Sequence, residues 1–320
     1  MYEIKNFEFY GEEIFILNKG NIIASMLYKG KESHMIIYEK NLKYSDYELN
    51  QEITFNSPFD IIVLAVLSNE MIIASGRKFI IIFKKDNNSK YYKHQEFFNE
   101  DWAEVTNIKE LNNVNEHFAV CGFYGLILFK KQNDKYEITF DIGKSILGTK
   151  QVIDFMEIKG KEKAFILCGI YTIFITSNKN ILNKINFHEN DRKLLSGKDY
   201  ICEFNDELFL ISGQIYITIF NTRENKFKQI RFLGNKKFSD SDIDSSKIYK
   251  YDINTIILLT DKEIFIIQIF DNEKIQINMT FCIPNIYDGF LKFIKEEKSV
   301  YFKYRKYIKK LTFNNKMKYK

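Results

Sequence analysis

Proline is nearly missing from this chain, at two residues in 320, and glycine is scarce at 14. That excludes long flexible linkers and collagen-like or low-complexity architecture. It also leaves Asn, Asp and Lys to make most of the turns, and Asn and Asp enter the left-handed backbone region more readily than most residues. There are four cysteines and no C-x-x-C pair, a pattern unlike a disulfide scaffold or a paired-cysteine zinc site. Apolar runs are strand-sized, such as FIIIF at 79–83, well short of the roughly 18 residues of a membrane helix. The opening MYEIKNFEFYGEEIF carries acids early and no continuous apolar core, unlike a secretory signal. These features predict an intracellular, soluble protein with no transmembrane segment. Glycine-rich phosphate loops, H-E-x-x-H and G-x-S-x-G are absent, so no cofactor, metal or catalytic residue is expected. A net charge of +5 is mild for this length and does not by itself imply nucleic acid.

What is present is apolar and aromatic residue in quantity, 45% and 16% of the chain, enough for a sizeable core in one large domain or two smaller ones. It is also repetitive. FAVCGFYGLILFKK at 118–131 has counterparts in IIASGRKFIIIFKK at 72–85, FILCGIYTIFITSN at 165–178 and FLISGQIYITIFNT at 209–222. Aligned on the residue closing the second apolar run, seven units end at Tyr38, Phe83, Phe129, Ile175, Phe220, Phe270 and Phe313, spaced 43 to 50 apart. Such a period marks a repeat architecture.

Each unit divides into four short segments rich in Ile, Phe and Tyr, bounded by Asn, Asp and Ser: strand signals. In the second unit they are DIIVLAVL (60–67), EMIIASG (70–76), KFIIIFKK (78–85) and KYYKHQEFF (90–98). The middle two are almost wholly apolar, as strands covered on both faces are. No helix-length window shows a 3.6-residue apolar period.

Seven four-stranded units of this period resemble the WD40-type β-propeller family, across essentially the whole chain. The family's Gly-His and Trp-Asp pairs are absent. Phe83-Lys84, Phe129-Lys130 and Phe270-Asp271 stand in the Trp-Asp place, keeping the aromatic and losing most of the hydrogen-bonding partner. The resemblance implies an all-β, seven-bladed propeller in a single domain, 1–320. The seventh unit supplies three strands, and YEIKNFEF (2–9) has no other partner, so the N-terminal strand is expected to complete blade seven. Small residues recur at the turn between the inner strands, in Ser75-Gly76, Cys121-Gly122, Cys168-Gly169 and Ser212-Gly213, where blades crowd together. Cys121 and Cys168 fall where other units place serine, which favours packing over redox or metal chemistry.

By resemblance the role is noncatalytic: a scaffold that binds other proteins, as a subunit of a larger complex. Candidate partner-binding residues lie in the connections between blades: Pro58, Phe59, Trp102, Arg192, Phe238 and Tyr287. Trp102, the only tryptophan, is flanked by acids and reads either as an interface anchor or as a ring packed between neighbouring blades. The alternative function is a peripheral anionic-lipid or nucleic-acid binder. It would use the C-terminal segment, where Lys303, Arg305, Lys306, Lys309 and Lys310 alternate with aromatics and no acid follows Tyr301. The same pattern suits strands whose aromatics pack while lysines face water. FHENDRK at 187–193 and SDSDIDSS at 239–246 read as solvated loops, and the tandem-arginine motif of phosphoinositide-binding propellers is absent.

Overall fold

The computed structural model describes residues 2–8, 13–17, 21–29, 32–41, 43, 46–55, 61–102, 104–111, 117–147, 151–159, 161, 163–169, 172–186, 201–212, 216–224, 226–231, 246–260, 263–270, 274–282, 290–304 and 307–313. They form seven four-stranded antiparallel sheets, the blades of a β-propeller, with one short helix, α1 (Lys144–Leu147).

Sheet 1 runs β2 (Glu13–Leu17), β3 (Ile22–Lys29), β4 (Glu32–Asn41), β5 (Asp46–Phe55). Sheet 2 is β6 (Ile61–Val66), β7 (Ile72–Gly76), β8 (Phe79–Lys85), β9 (Tyr91–Phe98). Sheet 3 is β10 (Val105–Glu110), β11 (His117–Gly122), β12 (Gly125–Gln132), β13 (Lys135–Gly143). Sheet 4 is β14 (Val152–Glu157), β15 (Ala164–Gly169), β16 (Thr172–Ser177), β17 (Asn180–Asn186). Sheet 5 is β18 (Ile201–Glu203), β19 (Leu208–Ser212), β20 (Tyr216–Asn221), β21 (Lys226–Arg231). Sheet 6 is β22 (Ser246–Lys250), β23 (Thr255–Thr260), β24 (Glu263–Phe270), β25 (Lys274–Cys282). The seventh sheet has the order β1 (Tyr2–Glu8), β28 (Tyr307–Phe313), β27 (Ser299–Tyr304), β26 (Phe290–Ile294).

The chain divides into two compact units. One, residues 4–152 with 306–311, contains sheets 1 to 3; the other, 153–305 with 1–3 and 312–320, contains sheets 4 to 6 and the strands β26 and β27.

The local reasons for the strands are direct. β7, β15, β19 and β23 are buried along their whole length, so their Ile, Leu and Phe side chains pack on both faces. Outer strands mix buried and exposed positions: β9 keeps Tyr91 buried while Tyr92 and Lys93 are exposed. With glycine scarce, Asn133, Asn178, Lys78 and Lys179 adopt positive φ at hairpin turns (56°, 47°, 69° and 69°). Glu70, Lys163 and Lys298 do so just before the second strand of their sheets. Glycine is required where backbone crowds backbone. A Cβ on Gly122 would sit 2.1 Å from the Glu104 carbonyl oxygen, and Gly125 has φ 114°.

A β-bulge recurs in the outer strand. The pairing of third and fourth strands slips by one residue at Ile37/Tyr38, Ile82/Phe83, Leu128/Phe129, Ile175/Thr176 and Ile266/Ile267. The extra residues are Asn50, His94, Thr139, Leu182 and Asn278.

This landmark corrects the sequence alignment of the units. Phe83 and Phe129 follow the slip and face the preceding sheet, Phe83 packing with sheet 1 and Phe129 with sheet 2. In sheet 4 the residue after the slip is Thr176, not Ile175. Ile175 packs in the cluster shared with sheet 5, on the opposite face. In sheet 6 it is Ile267, three residues before Phe270, and it packs with sheet 5 as Phe220 packs with sheet 4. A recurring backbone bond gives the seventh. Lys40 donates to Asn21, Asn178 to Lys163, Thr222 to Glu207 and Ile269 to Asn254, each from two residues beyond the anchor. Phe313 donates to Lys298, so the anchor is Leu311 rather than Phe313. The corrected spacings lie between 44 and 47. The end of an apolar run does not mark which face a residue takes, and a one-residue slip in a strand exchanges its two faces.

Candidate interaction surface

Of the sequence-derived candidates, Pro58, Phe59, Arg192, Phe238, Tyr287, Arg305 and Lys306 lie outside the described residues, as do His188 and the FHENDRK segment. Lys303 is in β27. Trp102, Lys309 and Lys310 are described in full.

Trp102 is buried, 5% exposed, in the core between sheets 2 and 3. Its ring lies 6.0 Å from that of Tyr124 and 6.5 Å from that of Phe129. The turn before it is fixed locally. Trp102 N–H donates to the Asn99 carbonyl, Asp101 N–H to the Asn99 side chain, and the Lys78 ammonium pairs with Glu100. This connection therefore presents Phe98, Glu100 and Asp101 to solvent, not the indole. The Tyr124 hydroxyl is buried with no hydrogen-bond partner among the described residues, and burial, with Cys121 and Asp141 nearby, holds its pKa well above the ordinary phenol value.

Lys309 and Lys310 are half-buried neighbours in β28. Strand alternation sends their side chains to opposite faces of the sheet, so they do not make one basic stripe.

Polar contacts tie neighbouring sheets together. Lys85 bonds Glu39 of sheet 1 at 3.0 Å and Glu70 at 3.4 Å, and sits 5.3 Å above the Tyr91 ring. Burial works against the Lys85 ammonium, but the Glu39 hydrogen bond and the charges of Tyr91, Glu39 and Glu70 outweigh it and raise its pKa. Between sheets 2 and 3, Lys84 pairs with Asp134 at 2.7 Å, and His94 Nε2 lies 2.6 Å from the Asp134 carbonyl oxygen. His34 contacts Glu52 at 2.8 Å within sheet 1. These histidines are thus engaged in separate local contacts. Among the described residues no group of three or more His, Cys, Asp or Glu is arranged to hold a metal ion. Cys121 and Cys168 are buried cysteines, in no disulfide among the described residues, at the positions of the buried Ser75 and Ser212.

Large apolar side chains on outer strands are exposed: Leu49 at 64%, Leu182 at 55%, Ile138 at 47% and Tyr92 at 45%. Leu49 and Ile138 immediately precede the bulge residue and Leu182 is one. Their sequence signal was an apolar residue interrupting an otherwise polar outer strand, which by itself reads as inward-facing.

No family model matches this chain, and no curated protein matches it in sequence. Solved structures do match in fold. The chain is similar to Saccharomyces cerevisiae Sqt1, with a TM-score of 0.61 at 10% identity over 96% of this chain and 97% of that one. It is similar to a chain of the mitotic checkpoint complex, with a TM-score of 0.67 at 10% identity over 97% and 91%. A chain of the COPII outer coat vertex on membranes gives 0.67 at 13% identity over 98% and 87%. At such identities the likeness is one of architecture, and this chain has the fold of a seven-bladed β-propeller.

Proposed function

We propose that the protein is a noncatalytic protein-interaction platform, an intracellular subunit of a larger multiprotein assembly, folded as one domain over 1–320. The observation that carries this is the division of labour within each sheet. Among the described residues, middle strands are buried on both faces, while turns and outer strands offer polar and apolar groups to solvent. Such a frame recognises partners by surface complementarity with little change of shape. Chains of like fold that sit in the mitotic checkpoint complex and in a COPII coat support the same role. The connections holding Pro58, Phe59, Arg192, Phe238 and Tyr287, with Glu100 and Asp101 beside Trp102, are the first surfaces to test. The opposed directions of Lys309 and Lys310 weigh against a basic C-terminal stripe for lipid or nucleic acid.

The test is affinity capture of the full chain from native lysate, with the mass of the purified protein measured alongside. A stoichiometric protein partner is expected. A monomer with no partner, or capture of anionic vesicles or RNA that is lost when Lys303, Lys309 and Lys310 are replaced by Ser, overturns the reading.

A further inference from the structure

A cavity of about 240 Å³ opens between sheets 4 and 5. The buried side chains of Ile158, Ala164, Ile175 and Phe220 line its interior. Leu182, Thr222, Lys161 and Arg223 complete the lining nearer solvent.

Its origin lies in two substitutions within the repeat. After the first strand of sheets 2 to 6 one backbone N–H closes the hairpin: Leu67 onto Met71 in sheet 2, Ile158 onto Ala164 in sheet 4. Ala164 therefore occupies the place of Met71, which in sheet 2 fills the interface and accepts a hydrogen bond from the Tyr136 hydroxyl at 3.6 Å. The residue after the bulge, Gln95 in sheet 2, reaches across to sheet 3. Its counterpart in sheet 4 is the shorter Asn183, whose side chain accepts from the N–H of Lys184 instead. A small residue and a missing reach leave the interface open.

We infer that this cavity receives one bulky apolar side chain from an acidic segment of a partner protein. The inference rests on the reading of the chain as an interaction platform and names the site and the chemistry of the ligand. The volume falls below the roughly 300 Å³ at which small-molecule sites begin, and suits a single anchor side chain. Leu182, well exposed, extends the apolar lining toward solvent. The lining carries two cations and no carboxylate. Among the described residues the Lys161 ammonium has no acidic partner. Arg223 makes one ion contact, from Nε to Glu207 at 3.5 Å, with both side chains well exposed. Such a pair is weak. The terminal nitrogens of Arg223 are thus available for a carboxylate next to the anchor.

The probe is an array of short synthetic peptides with Leu, Phe or Ala at the centre and Asp/Glu, Ser or Lys on either side, bound to the full chain. Peptides with a Leu or Phe centre and acidic flanks are expected to bind best, with affinity falling as salt rises. Ala164→Met, which restores the side chain found in sheet 2, should weaken binding by roughly tenfold or more. Arg223→Glu and Lys161→Glu, both at exposed positions, should do the same without loss of thermal stability. Absence of peptide binding, equal binding of Ala-centred or Lys-flanked peptides, or full affinity in Arg223→Glu overturns the proposal. Capture from lysate with wild type and Arg223→Glu separates the two readings. The same partner held by both proteins sinks the cavity proposal and leaves the platform; no partner for either sinks the platform.

Discussion

The side-chain amide of Gln95 makes two hydrogen bonds with the backbone of Tyr136. Its Nε2 donates to the Tyr136 carbonyl and its Oε1 accepts from the Tyr136 N–H, each at 2.8 Å. Gln51 holds Tyr91 in the same way one sheet earlier, at 2.8 and 2.6 Å. Each glutamine directly follows a bulge residue, Asn50 or His94, and each tyrosine lies at the start of the next outer strand. Outer strands have one unpaired edge, and this clamp satisfies both groups of one residue on it. Two net hydrogen bonds are worth about 1–3 kcal/mol. Gln95→Ala should lower the unfolding free energy by that amount, read as a lower urea midpoint with an unchanged m-value. Gln95→Asn should be no better, because the side chain is one methylene short. An unmoved midpoint would show that the clamp contributes nothing.

The order β1-β28-β27-β26 places the first residues of the chain beside the last strand. Deleting residues 1–9 should lower the melting temperature sharply and promote aggregation through an exposed β28 edge. Scanning calorimetry with light scattering checks this; a melting curve identical to that of the full chain would refute it.

Glycine replacements should separate by local crowding. Gly122→Ala brings a Cβ to 2.1 Å from the Glu104 carbonyl oxygen, and Gly125→Ala to 2.0 Å from that of Ile142 at φ 114°. Both press on backbone, which cannot step aside, and each should cost about 3 kcal/mol or more, or yield insoluble protein. Gly143→Ala meets only the Asp141 side chain at 3.8 Å and should fold normally. Soluble expression and denaturation midpoints of the three variants provide the comparison.

Alkaline stability should depend on Tyr91. Burial, together with the charges of Glu39 and Glu70 and against that of Lys85, pushes its pKa from the ordinary 10.0 up to about 12. Below about pH 10 the phenol is protonated in both states. As pH rises toward 12 the unfolded chain releases the proton while the folded one holds it, so stability falls. Tyr91→Phe removes that part of the loss, and its melting temperature should decline less steeply over this range than that of wild type. A parallel decline would mean that Tyr91 titrates alike in both states. Tyr124→Phe discards a buried hydroxyl that has no partner among the described residues and should leave stability at pH 7 unchanged or raised.

The architecture was legible because strand-forming composition, turn residues and apolar runs repeat together. DIIVLAVL, KFIIIFKK and KYYKHQEFF became β6, β8 and β9 to within a residue at each end. The candidate surface was less legible. Trp102 stood out by its rarity and its acidic neighbours, yet its ring is in the core, placed there by Tyr124 and Phe129 from the next sheet. Leu182 was inconspicuous, and the bulge leaves it exposed beside the cavity.

The sequence by itself determined that this chain is built from seven like units of four strands, since hydrophobic patterning and turn chemistry act over a few residues and are written locally. Only the tertiary structure decided which residue of each unit faces which neighbour. Thr176, Ile267 and Leu311 take the anchor positions that the ends of the apolar runs assigned to Ile175, Phe270 and Phe313. The cavity beneath Leu182 likewise exists only through the pairing of sheets 4 and 5. Facing is set by strand register and by packing between sheets, and a single inserted residue reverses it without altering composition or period.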